Sequence, residues 1–222
     1  MNMKKILIFL LIIIGLIVLL WNSSNRNDTA PGITIEYPED SEKITLAGGC
    51  FWCIESFLQE TSGVIDALSG YAGGSAENAT YLEVVKGKTD HRESVQVIYD
   101  PSIVTLEEII NVFWGVIDPT DDTGQFSDRG FQYTTAIFYH NEEQKKIAQM
   151  SKQELNESGL LSEDIATKII PFESFFMAEE YHQDYYKKAP ELYKRYESGS
   201  GRKGFIEENW AKDAAIEYFK SR

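Results

Sequence analysis

Residues 43–59 constrain the fold of this 222-residue chain more than any other stretch. Lys43–Ala47 (KITLA) has the pattern of a short apolar strand, and Gly48 and Gly49 interrupt that pattern where the chain must turn. From Cys50 onward the apolar residues recur at helical spacing, which predicts a helix to about residue 59. Cys50 is therefore expected at or near the N-terminus of a helix that follows a strand directly.

Strand and helix patterns alternate along the rest of the chain. Further strands are predicted at Val64–Tyr71, Val95–Tyr99, Thr134–Tyr139 and Ile165–Ile170. Further helices are predicted at Leu106–Val116, 142–158, Phe176–Lys188 (stopped by Pro190) and Asn209–Phe219, the first two with capping motifs at Thr105 and Asn141. Because several neighbouring strands are close enough in sequence to pair antiparallel, we expect an α+β two-layer sandwich with a mixed, mainly antiparallel sheet.

The N-terminal segment has the pattern of a membrane-targeting sequence. Lys4 and Lys5 precede an apolar run of 16 residues, 6–21, which would span about 24 Å as a helix. This length is short for a bilayer core and long for the apolar region of a signal peptide. Since no small-residue cleavage site follows Trp21, we favour an uncleaved anchor (1–21), followed by a polar tether (22–42). The domain 43–222 would then lie outside the cytoplasm, anchored at the membrane, or be exported if the leader is cleaved.

The charge of the chain restricts its partners. A formal net charge of −14 repels nucleic acid and anionic lipid headgroups, so neither is an expected partner of the domain. The only two cysteines, Cys50 and Cys53, would close too small a loop to stabilise the fold as a disulfide. The cysteine pair therefore calls for a chemical explanation.

A helix N-terminus is a favourable place for a thiolate. The dipole of the helix predicts a lowered pKa for Cys50 and a nucleophilic sulfur. Cys53 lies one turn further along, where a disulfide with Cys50 would be strained and easily reduced, as suits a turnover state. Each cysteine could instead be a small buried apolar residue, and for Cys53 that interpretation has equal weight.

Three kinds of chemistry fit a lone CxxC pair. A metal site is the weakest, because His91, His140 and His182 show no spacing that would supply the two missing ligands. A thioredoxin-like thiol–disulfide exchanger is a serious rival. The bulky rings of Phe51 and Trp52 favour a third option, a thiol beside an aromatic wall that accepts a methyl-bearing thioether or sulfoxide. A redox switch without enzymatic activity is the remaining alternative.

Five segments carry a resemblance to a known family: GCFWC, GYAGG, TYLEVVKGKTDHRESVQVIYDP, DRGFQYTTAIFY and AEEYHQDYY. In this order and spacing, between about Ile44 and Tyr186, they resemble the type A peptide-methionine (S)-S-oxide reductases. The resemblance implies a ferredoxin-like core and the reduction of S-epimer methionine sulfoxide, in proteins and also as the free amino acid. No dinucleotide fingerprint or metal motif is present, so we expect no cofactor or metal and a thioredoxin-like dithiol as electron donor. We also expect a monomer.

The resemblance assigns Cys50 as the nucleophile that becomes a sulfenic acid. Glu93 matches the acid that protonates the sulfoxide oxygen, and burial against aromatic rings should raise its pKa. Phe51 and Trp52 would hold the methyl group of the substrate. Because the C-terminal tail has no cysteine, either Cys53 or an external thiol must resolve the sulfenic acid, and the CFWC form favours Cys53.

Three further residues match substrate-binding positions of the family. Tyr81 and Tyr133 match tyrosines whose hydroxyls hydrogen-bond the sulfoxide oxygen, and Asp128 matches an acid that lines the site. Outside the motif each would more often be structural, since the chain has twelve tyrosines and Asp128 also fits a turn-capping role. His182 is assigned a core or surface role.

Overall fold

The computed structural model describes residues 36–220, and a six-stranded mixed sheet is its main element. The strands are β1 (Glu42–Ala47), β2 (Val64–Ala72), β3 (Arg92–Tyr99), β4 (Gly124–Gln125), β5 (Asp128–Arg129), β6 (Ala136–Tyr139), β7 (Lys168–Pro171) and β8 (Phe175–Met177). The order in the main sheet is β7-β6-β1-β3-β2-β8, and every pair is antiparallel except β6 with β7. Strands β4 and β5 form a separate hairpin. The predicted α+β fold with a mixed, mainly antiparallel sheet is confirmed.

Helices connect and cover the strands. They are α1 (Phe51–Gln59), α2 (Tyr81–Val84), α3 (Leu106–Trp114), α4 (Glu142–Glu157), α5 (Tyr185–Lys188), α6 (Pro190–Ser200), α7 (Arg202–Phe205) and α8 (Asp213–Lys220). Short 3-10 turns at Ala76–Asn78 and Phe131–Tyr133 and a π turn at Ile206–Trp210 complete the order. The main core is formed by the buried apolar faces of β1, β2, β3, α1 and α3.

Both predicted helix caps are present. The Thr105 hydroxyl accepts from the Glu108 backbone N–H at 3.2 Å, and the Glu108 carboxylate accepts from the Thr105 N–H at 2.8 Å. The Asn141 side chain accepts from the Gln144 N–H at 2.9 Å at the start of α4. These bonds satisfy backbone donors that the first helical turn leaves without partners.

The long helix predicted at Phe176–Lys188 is wrong. Its first residues instead form β8, which pairs with β2 at the sheet edge, and only α5 is helical at its end. Pro190 does not stop a helix but begins α6, where its missing N–H is one that the first turn would leave unpaired anyway. The aromatic residues of this segment do not form one buried helical face, because Phe176, Tyr185 and Tyr186 are half-buried and Tyr181 is exposed.

The Gly/Ser-rich tail packs on the domain. The Trp210 indole N–H donates to the Ile117 carbonyl at 3.0 Å, and Arg202 donates to the Gly48 carbonyl at 2.8 Å. Both bonds are buried, so the tail contributes to the fold around the turn that precedes Cys50. The last helix, predicted at Asn209–Phe219, is present as α8 but begins four residues later, at Asp213.

The predicted membrane-anchored location is corrected. Among residues 36–220, no helix is long and apolar enough to cross a bilayer. The apolar segment 6–21 and most of the tether predicted at 22–42 lie outside the described residues. The compact unit that contains the sheet starts at Glu39, and β1 starts at Glu42.

Gly49 is required where β1 turns into α1. Its φ angle is +82°, and a Cβ there would lie 2.6 Å from the Cβ of Gln125. Gln125 cannot move easily, because its side-chain amide is hydrogen-bonded to the backbone of Asp118 in both directions. We therefore expect Gly49→Ala to lower the free energy of unfolding by about 1–3 kcal/mol, measured by urea denaturation.

Gly199→Ala is the matched control. Gly199 lies in α6 and has nothing within 4 Å of its virtual Cβ, so alanine should leave the stability unchanged or raise it by up to about 1 kcal/mol. Equal urea midpoints for Gly49→Ala and the wild type would contradict the requirement for glycine at the turn.

Candidate active site

Seven of the eight residues predicted for the site surround one small cavity of about 70 Å³. They come from α1 and the residue before it, from α2, from β3, from β5 and from the 3-10 turn at Phe131–Tyr133. The complete lining is Cys50, Phe51, Trp52, Tyr81, Glu93, Asp128, Tyr133 and Tyr196. The sequence therefore identified the residues that the fold brings together, with the exception of Tyr196.

Glu93 lies in β3, where it reaches the start of α1. The sequence placed it in a loop just before the strand, but the strand begins one residue earlier, at Arg92. The Glu93 Oε2 atom accepts a hydrogen bond from the Phe51 backbone N–H at 3.1 Å. Glu93 is 3% exposed, and this burial raises its pKa to about 8. The carboxyl group is therefore predominantly protonated at pH 7, as its proposed role as an acid requires.

The predicted lowering of the Cys50 pKa is wrong for the unliganded protein. Cys50 is the N-cap of α1, as expected, but it is only 5% exposed. The first helical N–H, at Phe51, is bonded to Glu93 instead of being available to the sulfur. Burial raises the pKa of the Cys50 thiol well above its ordinary value, and Cys53 and Glu93 raise it further. Burial therefore outweighs the field of a single helix end.

Cys53, and not Cys50, is the cysteine whose thiol pKa is below its ordinary value. It lies beneath the cavity, fully buried, and both thiols are free. A hydrogen bond from Cys50 is the main cause of its lowered pKa, and the positive charge of Arg202 also contributes. In the reduced protein the two thiols therefore have distinct states, because Cys50 holds its proton and Cys53 is the more easily ionised sulfur.

Phe51 and Trp52 form the apolar side of the cavity. The Trp52 ring stacks on Tyr185 with centroids 4.0 Å apart, and its indole N–H donates to Nδ1 of His182 at 3.2 Å. His182 packs against the Phe51 ring with centroids 5.0 Å apart. His182, for which the sequence predicted a core or surface role, is buried and supports the rings of Phe51 and Trp52.

The polar side of the cavity carries hydroxyl and carboxyl groups. Burial raises the pKa values of Tyr81 and Tyr133, and the charge of Glu93 raises them further, so both hydroxyls stay protonated and can donate. Burial also raises the pKa of Asp128, whose Oδ2 accepts a hydrogen bond from the Tyr196 hydroxyl. An oxygen atom placed in the cavity would meet several donors at once.

The C-terminal tail supplies residues that the sequence analysis missed. Tyr196, from α6, lines the cavity and contacts the Cys50 sulfur as well as Asp128. Tyr193, one turn earlier, bonds the Ser56 hydroxyl at 2.6 Å and packs with both cysteines. The three-residue spacing of these tyrosines puts them on one helix face, and this spacing is the feature of the sequence that could have identified them. The pairing of that face with α1 is a long-range contact that no local pattern encodes.

Glu179 was also missed, although it lies in a segment that carried the resemblance. Its carboxylate accepts from the Tyr81 backbone N–H at 3.0 Å and from the Tyr71 hydroxyl at 2.8 Å. These bonds hold the start of α2 against β2 and so fix the position of Tyr81.

The arrangement supports one type of chemistry. A nucleophilic sulfur, a neutral carboxylic acid and phenolic donors share a cavity with an aromatic wall, which suits attack on a small polar group attached to an apolar one. A sulfoxide flanked by a methyl group has these properties.

Comparison with known proteins also indicates sulfoxide reduction. The family model described as peptide methionine sulfoxide reductase matches residues 42–214. A Bacillus licheniformis protein named peptide methionine sulfoxide reductase MsrA is 50% identical over 174 residues, which cover 78% of this chain and 96% of that protein.

Solved structures agree. Reduced Mxr1 from Saccharomyces cerevisiae is 35% identical with a TM-score of 0.67, covering 72% of this chain and 92% of that one. Mxr1 in complex with Trx2 is 29% identical with a TM-score of 0.50, covering 69% of this chain and 91% of that one. The resemblance read from the motifs is therefore confirmed, and this chain belongs to the peptide methionine sulfoxide reductase family, with the MsrA proteins.

Proposed function

We propose that this protein reduces the S epimer of methionine sulfoxide, in proteins and as the free amino acid, through Cys50. Family membership supports the reaction class. The observation that carries the proposal is the cavity itself, in which a buried thiol lies beside a carboxyl group whose pKa is raised to about 8. An acid and a nucleophile in contact with one reacting group are what sulfoxide reduction requires.

In the first half of the reaction the Cys50 sulfur attacks the sulfur of the bound sulfoxide. In the reactive form the Cys50 thiol has already lost its proton to the solvent, and Glu93 donates its own proton to the sulfoxide oxygen. The Glu93 carboxylate then regains a proton from the solvent. The hydroxyl group then transfers to Cys50 as the new S–S bond breaks, which gives methionine and a Cys50 sulfenic acid. The sulfoxide is reduced by two electrons and Cys50 is oxidised by two, so atoms and charge balance.

The walls of the cavity account for the choice of epimer. The hydroxyls of Tyr81 and Tyr133 would donate to the oxygen, while the methyl group would lie against Phe51 and Trp52. With the attacking sulfur at a third position, three substituents of the chiral sulfur are fixed. The other epimer could not place its oxygen at the donors and its methyl group at the rings together.

In the second half of the reaction, Cys53 would attack the Cys50 sulfenic acid and form a disulfide. No other cysteine is present in the chain to do so. A thioredoxin-like dithiol would then reduce the disulfide, and the structure of yeast Mxr1 with Trx2 supports a partner of this kind. The expectation that the protein acts as a monomer stays a prediction.

The alternative function, a general thiol–disulfide exchanger, is less well supported. Thiol–disulfide exchange needs neither a proton donor for an oxygen atom nor an apolar wall beside the sulfur. The cavity of Cys50 has both, because Glu93 and two tyrosine hydroxyls line its polar side and two aromatic rings line its apolar side.

Cysteine variants test the two halves of the reaction. Cys50→Ser should abolish sulfoxide reduction, because the nucleophile is lost. Cys53→Ser should still produce one methionine per protein when the reduced protein is mixed with both epimers, but turnover with thioredoxin should be slowed. The measurement is chromatography that separates the epimers, with the wild type and dithiothreitol as reference.

Two outcomes would contradict the proposal. Consumption of the R epimer would show that the cavity does not select as described. Unchanged thioredoxin-linked turnover in Cys53→Ser would assign resolution to an external thiol.

The pH dependence of the first half-reaction tests Glu93. At pH 7 Glu93, with a pKa of about 8, and Cys50, with a pKa raised well above its ordinary value, each hold a proton. The reactive state has a Cys50 anion and a protonated Glu93, so it holds one proton fewer. The second-order rate constant should therefore rise up to about pH 8 and fall when the second proton leaves.

Glu93→Gln should remove the descending limb and lower the rate constant by about 10²–10⁴-fold, since no acid remains. Glu55→Gln is the matched control, because Glu55 is an equally buried carboxyl on α1 with its pKa raised to about 7, but it lies outside the cavity. The control should keep the bell-shaped profile. A bell-shaped profile that survives in Glu93→Gln would rule out Glu93 as the acid.

A further inference from the structure

Arg202 is a buried cation that the reaction described above does not use. It begins α7 and is 1% exposed. Its guanidinium donates to the Gly48 carbonyl at 2.8 Å and to the Val116 carbonyl, and its Cζ atom lies 4.7 Å from the centroid of the Phe126 ring. A Cβ on Gly49 would lie 3.1 Å from its Nη2 atom. The guanidinium therefore lies directly behind the turn that carries Cys50.

The charge of Arg202 is not neutralised by direct contact. Within residues 36–220, none of the ion pairs involves Arg202, and the oxygen atoms that accept from its guanidinium are carbonyls. A buried charge without a paired carboxylate is costly, so its position calls for an explanation. Its positive field extends to the groups around the turn instead.

Cys53 is one of the groups that this field reaches. The groups that favour its thiolate are the Cys50 thiol, Arg202 and the Tyr193 hydroxyl. Burial and the carboxylate of Glu197 act against ionisation, yet the net effect is a lowered pKa. Arg202 supplies the full positive charge among the groups that act most strongly on Cys53.

We propose that Arg202 is a positioning residue for the second half of the reaction: it fixes the Gly48–Cys50 turn and supplies the positive charge that lets Cys53 attack oxidised Cys50. The Cys53 thiolate forms a bond to the Cys50 sulfur, and the S–O bond of the sulfenic acid breaks. The hydroxide leaves as water after it takes a proton, for which the Glu93 carboxyl lines the same cavity. The two-electron oxidation that Cys50 underwent is then shared between the two sulfurs of the disulfide.

The inference rests on the proposed function, and its test separates the two. The Cys50→Ser variant retains Cys53 as its only cysteine, so the ultraviolet absorbance of the thiolate, followed below the pH at which tyrosine ionises, titrates Cys53 alone. In this background Arg202→Gln keeps hydrogen-bond donors without the charge, and Arg202→Lys keeps the charge without the fork. Arg195→Gln, at an exposed position of α6, is the matched control.

The titration midpoint of Cys53 should rise by roughly one pH unit in Arg202→Gln and stay close to its original value in Arg202→Lys and Arg195→Gln. A purely structural role for Arg202 would not separate the midpoints of the variants according to the charge at position 202.

The rate at which Cys53 resolves the sulfenic acid should change in the same variants as the Cys53 titration midpoint. In proteins with both cysteines, this rate of disulfide formation is measured by rapid mixing with sulfoxide and counting of the free thiols. Arg202→Gln should lower the rate roughly tenfold at neutral pH, and by a smaller factor as the pH rises. Methionine release, measured in the same samples, should be lowered less than disulfide formation, because glutamine keeps donors for the carbonyls of the turn. Absence of methionine release in the wild type would overturn the proposed function. Normal release with equal resolution rates in Arg202→Gln and the wild type would overturn only the role of Arg202.

If Arg202→Gln does not fold, as judged by circular dichroism, Arg202→Lys still tests the proposal. Because lysine keeps the positive charge, the rate of disulfide formation should stay close to that of the wild type. A tenfold loss of disulfide formation with normal methionine release in a folded Arg202→Lys protein would overturn the role of the charge.

Discussion

The hydrogen bond from the Phe51 N–H to Glu93 is the interaction on which the site depends. It joins the first turn of α1 to β3, two elements 42 residues apart, in a region closed to water. Because Glu93 occupies this donor, the helix end stabilises the carboxyl group instead of the Cys50 sulfur. Burial keeps both groups protonated, so the unliganded protein holds an acid and a latent nucleophile side by side.

Local patterns in the sequence predicted the parts of the site that local structure determines. The strand, glycine turn and helix of residues 43–59 placed Cys50 at a helix start. The assignment of Tyr81 and Tyr133 to the site came from the family resemblance, not from local patterns. The pKa of Cys50 could not be predicted in this way, because it depends on how deeply the folded chain buries the sulfur. The same limit applies to Pro190, whose role as a helix start depends on the sheet edge that β8 occupies.

The C-terminal tail links the fold to the chemistry. Tyr196 and Tyr193 reach the two cysteines from α6, and Arg202 holds the turn before Cys50 from behind. The tail has no sulfur, so it acts on the cysteines through hydroxyl groups and charge. One segment thereby completes the cavity, buries the thiols and gives Cys50 and Cys53 different acidities, which suits their different roles in the two halves of the reaction.

The most direct test of the account is to locate the oxidised atom after a single turnover. Reduced Cys53→Ser protein would be mixed with one equivalent of S-epimer methionine sulfoxide and a sulfenic-acid trap, then digested and mapped by peptide mass spectrometry. The account predicts one adduct per protein, on Cys50, together with one equivalent of methionine. Methionine formed without an adduct at Cys50, or with the adduct on another residue, would contradict it.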